Sequence, residues 1–535
     1  LSAGPCSASV DVASVRRRGG PFLTHRPEVV AMLVTAVAVY LMLTIAIGWY
    51  AARRVHTAKD YFAAGRSLPL YMNFATVFAT WFGAETVLAV SSTFLKDGLS
   101  GVVADPFGAA TCLVIVALVF ARRFYRLNLL TIGDFYRKRY NRTVEIGTGV
   151  AITLSYLGWA SANLLALGIC FNVLSQGGIT LEQGIMLGAA VLVVYVLFGG
   201  MFAVAFTDLF QTTVIILGLL YIAFTFGGQA GGVDKVVAAA SSEGKLVLVP
   251  SVEPRDLIAL FAAFITMALG SIAQQDVFQR VTSAKDESTA VRGTLFGGLF
   301  YLLFAFVPMF IAVSALLIDP KAVEAGLASE GREFQLILPN LIMNHATGAV
   351  QVLFFGALLS AILSTASGAL LAPTAIFTEN ILKPLTGGRM GDRQLLVTGR
   401  VMLVVFTGST MLFALNSEAS MYEMVQNAYK VTLVAAFTPL AFGMFWRGAT
   451  PQGAGLSIVL GLFTWILMEQ LAPEALLPPQ LVGLGAAIFG MVAGSLAPQV
   501  VGGRGHPEVV DEAVTGRPAH GHGHAHGAHP SRSAH

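Results

Sequence analysis

The chain has 535 residues, of which 55% are hydrophobic and 12% charged. No water-soluble domain of that size hides so much apolar surface, so the composition describes a polytopic membrane protein. A net charge of +3 is too small to argue for a nucleic-acid partner. The scattered Cys6, Cys112 and Cys170 give neither a disulfide framework nor a zinc spacing.

Residues 1–28 form a polar extension that carries Arg16, Arg17, Arg18 and Arg26. The chain opens with Leu1 and reaches its first methionine at Met32. Residues 1–31 therefore read as readily as an upstream extension as a true part of the protein, and they lack the cleavable small-residue site of a signal peptide. From residue 29 to about residue 500 a window of about 19 residues predicts thirteen spans. They lie near 29–50, 70–93, 103–121, 144–174, 183–199, 204–227, 257–277, 293–317, 349–377, 397–416, 421–446, 453–471 and 479–498. Loops after odd-numbered spans collect Arg53, Arg54, Lys59 and Arg66, then Arg122, Arg123, Arg126, Arg137, Lys138, Arg139 and Arg142, and later Arg280, Lys285, Arg292, Lys383, Arg389 and Arg393. Basic loops stay in the cytoplasm. The expected topology is thus a plasma (inner) membrane protein with its N-terminus outside and its C-terminus inside.

Two spans are interrupted. The second reads Ala79-Thr80-Trp81-Phe82-Gly83-Ala84-Glu85, where Gly83 permits unwinding and an ionisable Glu85 breaks the apolar run. The seventh reads Gly270-Ser271-Ile272-Ala273-Gln274-Gln275-Asp276. Discontinuous helices of this kind mark transport sites, because their freed backbone groups coordinate ions and substrate. The interruptions sit five spans apart, which predicts two inverted five-helix repeats over about 70–227 and 257–446, with one helix before and two after.

The ninth span carries Leu363-Ser364-Thr365-Ala366-Ser367. Residues 361, 364 and 365 share a helical face, so the Ala361 carbonyl and the hydroxyls of Ser364 and Thr365 can point at one spot. A dehydrated sodium ion needs such hard oxygen ligands. Membrane serines and threonines also bond back to their own helix or pack against a neighbour. Asp208 in the sixth span, Glu85 in the second and Lys430 in the eleventh are costly in an apolar body, so each must face a cavity, find a partner or lie near the interface. Glu85 is open to three roles: substrate ligand, partner of Lys430, or anchor to backbone amides. Gln426 lies one turn before Lys430. Residues 501–535 read as a disordered cytoplasmic tail in which His520, His522, His524, His526 and His529 alternate with small residues. That tract reads as low complexity first and as a weak divalent-metal binder second.

Four blocks then resemble the sodium:solute symporter family over residues 29–500. They are Asp60-Tyr61-Phe62 through Gly65-Arg66-Ser67-Leu68; Phe198-Gly199-Gly200-Met201 through Thr207-Asp208 and Gln211; Phe278-Gln279-Arg280-Val281; and Ser360-Ala361-Ile362-Leu363-Ser364-Thr365. The resemblance implies an all-α core of the LeuT type and a sodium site. Its ligands would be the carbonyls of Ala79, Phe82 and Ala361 with the hydroxyls of Ser364 and Thr365, and Asp208 would lie on the sodium pathway. The blocks Ala79-Thr80-Trp81 and Trp159-Ala160-Ser161-Ala162 are most similar to the high-affinity choline transporter branch. Trp81 and Trp159 then match two walls of an aromatic cage for a quaternary ammonium. Two further cage positions fall on Ala109 and Gln274, and Lys430 would repel choline. The solute is expected to be choline-like, or else a carboxylate or amino acid with Lys430 on its anionic end and Glu85 or the tryptophans on the other; Gln274 and Gln426 are further candidate ligands.

The resemblance therefore implies a sodium-coupled symporter of a small polar organic solute, with no organic cofactor and no enzymatic activity. The alternative is a membrane solute sensor built on a symporter-like domain. It is disfavoured because only about 35 residues follow the last span.

Overall fold

The computed structural model describes residues 27–518 except 250, 329–332, 388–389, 418, 502 and 504. The N-terminal arginines and the histidines from His520 onward lie outside the described residues. In a bilayer every backbone polar group must be satisfied within the protein, which leaves helices as the answer for long apolar runs. Among the described residues the structure is helical, with one isolated bridge, Leu68 to Ala284.

The main helices are α1 (Pro27–Ala52), α2 (Leu70–Trp81), α3 (Arg142–Leu174), α4 (Leu181–Gln229), α5 (Pro254–Gly270), α6 (Gln275–Ser283), α7 (Glu287–Phe304), α8 (Gly348–Ile376), α9 (Asp392–Asn416), α10 (Met421–Thr432), α11 (Pro451–Leu471), α12 (Pro479–Leu496) and α13 (Glu508–Thr515). Among the described residues, eleven helical stretches are long and apolar enough to cross a membrane, and the bent pair Leu70–Trp81 and Glu85–Gly101 makes a twelfth. The 49 residues of α4 would reach about 70 Å as one rod, more than twice the hydrocarbon thickness. Its halves therefore count as two crossings, divided at Gly200 (φ 49°, ψ −139°). That reading gives the thirteen spans expected from hydropathy.

Gly200 cannot carry a side chain where it stands. A Cβ there would lie 2.4 Å from the Tyr61 carbonyl oxygen, on top of a positive φ. Tyr61 is held in place by a short helix, Ala58–Ala63, with a Thr57/Asp60 capping box at its start.

At the centre runs α8, buried at every position from Ala357 to Ile376. A helix apolar on all faces belongs inside a bundle. It packs on α4, α3 and α9, and small residues set the approach: a Cβ on Gly218 of α4 would stand 3.0 Å from Ala357 Cβ. By contrast α1 is mostly exposed along its length.

One expectation needs correcting. Part of the tail read as disordered forms α13, which docks on the basic face of the bundle. Val509, Val510 and Ala513 are buried, Lys138 pairs with Glu512, and Arg447 pairs with Asp511 at 3.0 Å. The His506 N–H donates to the Arg139 carbonyl at 3.0 Å. Composition hid this helix because its apolar face is only three residues wide and its acids are matched by arginines and lysines far away in sequence.

The contact at Gly200 yields a test. Gly200→Ala should destabilise the protein by about 3 kcal/mol or more, read as a large drop in melting temperature in detergent, whereas Gly228→Ala, which meets nothing within 4 Å, should be neutral.

Candidate functional site

The first interruption is a true break. The segments before and after it meet at 53°, and Phe82 leaves helical geometry (φ −82°, ψ 80°). In a continuous helix the Gly83 N–H would bond to the Ala79 carbonyl; here it donates to Trp81 O at 3.0 Å. The Ala79 carbonyl is therefore free, and α8 supplies its partners. Ser364 Oγ lies 2.9 Å from Ala79 O and 3.0 Å from Ala361 O, and Thr365 Oγ1 lies 3.2 Å from Ala79 O. Four oxygens from two helices thus meet at one buried point. Hard oxygens in such a cluster suit a small hard cation.

Gly83 makes the approach possible: a Cβ there would stand 2.4 Å from Thr365 Oγ1. The sequence singled out every member of this cluster, and the structure brings Ala79, Ala361, Ser364 and Thr365 together.

The second interruption is also real. Helix α5 ends in a 3-10 turn over Ser271–Ala273, Gln274 is extended (φ −81°, ψ 142°), and α6 follows. Gln274 is buried and donates to Ser155 Oγ at 3.1 Å and to Thr432 Oγ1 at 3.4 Å. It thus ties the broken element to α3 and α10.

Beside the first break stands a group of aromatic rings. Trp81 is 8% exposed and Trp159 is 4% exposed. Tyr429 stacks on Trp81 with ring centres 6.2 Å apart and 10° between planes, and its ring centre lies 6.4 Å from that of Trp159. Tyr301 lies 6.4 Å from Trp81, and Tyr156 lies 5.7 Å from Trp159. Ala109 and Gln274, where the resemblance places two further cage walls, carry no rings; the rings that adjoin the two tryptophans are those of Tyr429, Tyr301 and Tyr156. In the sequence Tyr429 carries no signal of its own beside the charged Lys430.

Carboxyls adjoin the rings. Asp105 is buried, and the Tyr301 hydroxyl donates to it while lying 3.2 Å from Thr86 Oγ1. Glu85 lies within electrostatic reach of Asp105, and its Oε1 is buried without a partner among the described residues. Neither carboxyl has an ion-pair partner among them.

Lys430 is elsewhere. Its Nζ lies 3.2 Å from Glu469 Oε1 of α11, so the structure pairs it with Glu469 and not with Glu85. One residue of helix turns it about 100° from Tyr429, towards α11 and away from the rings. Gln426 is half-buried, with Nε2 unpartnered among the described residues. Asp208 is fully buried, and neither of its carboxylate oxygens has a partner among them.

A family model for the sodium:solute symporter family matches residues 61–461. The chain belongs to that family. This symporter-family chain is 27% identical over 462 residues to the sodium/glucose cotransporter of Vibrio parahaemolyticus, covering 79% of the chain and 82% of the relative. It is 24% identical over 441 residues to the high-affinity choline transporter 1 of Torpedo marmorata, covering 80% and 75%. With the sodium/proline symporter of Escherichia coli (strain K12) it shares 25% identity over 523 residues, covering 94% and 98%.

Among solved structures, a sodium-coupled sialic acid symporter in a substrate-bound outward-open state superposes with a TM-score of 0.74 at 18% identity, covering 86% of the chain and 97% of that structure. MHP1, a nucleobase-cation-symport-1 family transporter in a closed conformation, follows with a TM-score of 0.56 at 14% identity, covering 84% and 98%. These likenesses show the fold, the five-plus-five inverted-repeat core of the LeuT type. The family is one of sodium-coupled transporters and not of enzymes.

The close approach at the break can be tested by a cycle. Gly83→Ala should cost about 1–3 kcal/mol by pressing on Thr365. Gly83→Ala with Thr365→Ala should recover much of that loss, a coupling read from melting temperatures. Purely additive losses would mean that the two residues do not touch.

Proposed function

We propose that this member of the family is a sodium-coupled symporter of a small organic solute with a positively charged nitrogen, working by alternating access in the plasma membrane. The observation that carries the reading is the release of the Ala79 carbonyl at the first break and its meeting with Ala361 O, Ser364 Oγ and Thr365 Oγ1. A sodium ion there would take Ala79, Phe82 and Ala361 through their carbonyls and Ser364 and Thr365 through their hydroxyls. It would join α8 to the broken helix, and Asp208 would lie on its way out. The basic loops and α13 would face the cytoplasm and the N-terminus the outside.

The solute pocket lies where Trp81 and Tyr429 stack beside Trp159. Ring faces attract cations, and the carboxyls of Glu85 and Asp105 stand beside them with no lysine or arginine paired to either among the described residues. With Lys430 paired to Glu469, the earlier case for a purely anionic solute loses its main support. Gln274 and Gln426 would supply hydrogen bonds to polar groups of the solute. Choline and amino acids both offer the required nitrogen, and the curated relatives include transporters named for choline and for proline. The relatives are transporters, so the sensor alternative gains nothing.

Sodium bound beside Trp81 orders the break that forms one wall of the pocket. Sodium and solute then raise each other's affinity by the same factor. An inward-negative potential contributes about 2.3 kcal/mol per charge per 100 mV to accumulation.

The test is uptake of labelled choline and of labelled proline into proteoliposomes under an inward sodium gradient, with potassium as control. Sodium-driven accumulation of either is expected. If neither accumulates, while acetate or another nitrogen-free carboxylate does, the charge assignment of the pocket is wrong.

Two variants sharpen the reading. Ser364→Ala with Thr365→Ala should raise the half-saturating sodium at least about tenfold, the equivalent of one lost charge-assisted contact; an unchanged sodium dependence would remove the site. Lys430→Met should leave the apparent affinity for the solute close to wild type, and a large loss would return Lys430 to the pocket.

A further inference from the structure

Helix α1 packs along the second half of α4, and between them runs an open groove of about 470 Å³. That volume falls in the range of small-molecule sites, about 300–1,000 Å³. One wall is Ala46, Ile47 and Tyr50 of α1, and the other includes Phe206, Phe210 and Thr213 of α4. Both sets have the spacing that keeps side chains on one helical face. The Thr213 hydroxyl is taken by the Leu209 carbonyl at 3.0 Å, so it adds no free donor to the groove. The floor is braced from within. Phe210 stacks on Tyr40 with ring centres 5.9 Å apart, and the Tyr40 hydroxyl lies 2.7 Å from Ser360 Oγ of α8. A groove rooted in the central helix is preformed, which lowers the ordering cost of filling it.

One end of the groove is cationic. Arg54 stands one turn past Tyr50 on the same face, and the chain still turns there, with the Arg54 N–H donating to the Ala51 carbonyl at 3.0 Å. The guanidinium carbon lies 4.8 Å from the ring centre of Phe206 and 5.9 Å from that of Tyr50. Those two rings meet edge to face at 6.1 Å, so one charge closes the end of the groove across both walls. Beside it, the Arg53 guanidinium lies over the Trp49 ring at 4.5 Å. Neither arginine has an ion-pair partner among the described residues. Trp49 is 63% exposed, and tryptophans on the outer face of a membrane bundle sit at headgroup level. The two arginines are thus at the height of lipid phosphates, and the apolar groove extends from them into the hydrocarbon.

We propose that this groove is a binding site for an anionic phospholipid, with one acyl chain along Ala46, Ile47 and Phe210 and the phosphate held by Arg54 and Arg53. Any exposed helix is wetted by lipid; this place differs in having a recess between two helices and a charge fixed over the recess's own rings. Resting on a ring face leaves the N–H edge of a guanidinium free for the paired bonds that phosphate accepts. Under the proposed orientation the site faces the cytoplasmic leaflet, where basic groups at the surface attract anionic lipid. The bound lipid fastens α1, mostly exposed along its length, to α4. Neither the sodium site nor the solute pocket enters this inference.

The experiment is a lipid titration of the purified full-length protein, stripped of native lipid in a neutral detergent and read as melting temperature. Phosphatidylglycerol should protect saturably, and phosphatidylcholine with the same acyl chains should protect far less. Arg54→Gln should raise half-saturating phosphatidylglycerol at least about fivefold, the scale of one basic residue at an anionic surface, and adding Arg53→Gln should raise it further. Ala46→Trp fills the groove without changing any charge and should weaken binding too. Arg292→Gln removes an equal charge from an exposed position on α7, which is no wall of the groove, and should bind like wild type. Equal protection by phosphatidylcholine overturns the proposal, and so does an equal loss in Arg292→Gln and Arg54→Gln, the mark of general attraction to charged micelles. Equal protection by glycerol 3-phosphate, or unchanged binding in Ala46→Trp, would mean an anion site without a lipid chain and also overturns it. If Arg54→Gln does not fold, the headgroup comparison and Ala46→Trp decide.

Discussion

The structure depends on one freed backbone carbonyl. Hydrocarbon offers no water to satisfy a broken helix, so a break survives only where side chains replace the lost partners. At Ala79 the replacements come from Ser364 and Thr365 on the central, buried α8. Local weakness in one helix thus demands a polar face in another, and Gly83 must be bare for the two to meet. In the proposed sodium site the same hydroxyls that satisfy the carbonyl would become ligands when an ion arrives. Ion binding would then exchange one set of partners for another at a fixed point, with little cost for creating the site.

The proposed solute pocket grows from the same break. Trp81 is the last residue of α2, so the geometry that frees the Ala79 carbonyl also aims the indole at Tyr429. Under the proposed function, ion and solute would share a hinge, and coupling between them would need no long pathway. Gln274 does for the second broken element what the hydroxyls do for the first, holding its extended residue against α3 and α10.

Much of this was legible in the sequence, and for physical reasons. Gly83 and Gly270 in apolar runs announce breaks, and Ser364 with Thr365 at a spacing that shares a face announces their partner. The five-span separation of the breaks gives the inverted repeat. What escaped was what depends on distant contacts. Nothing in the residues around Lys430 points to Glu469, 39 positions on, because a lysine within an apolar stretch reads alike whether it faces a cavity or a partner. Tyr429, Tyr301 and Tyr156 look like ordinary core aromatics until the helices that carry them converge. Asp105 sits at a helix start, where an acid is unremarked, and α13 is too short for periodicity to reveal.

The docking of α13 has a consequence for how the molecule can be handled. Its acids Asp511 and Glu512 clasp Arg447 just past the eleventh span and Lys138 in the short helix Ile132–Arg139 before α3, a clamp that grips two separately rooted segments. Affinity handles or fluorescent fusions attached close behind residue 518 would pull on that clamp and so on both segments. A long, uncharged spacer would leave the clamp at rest.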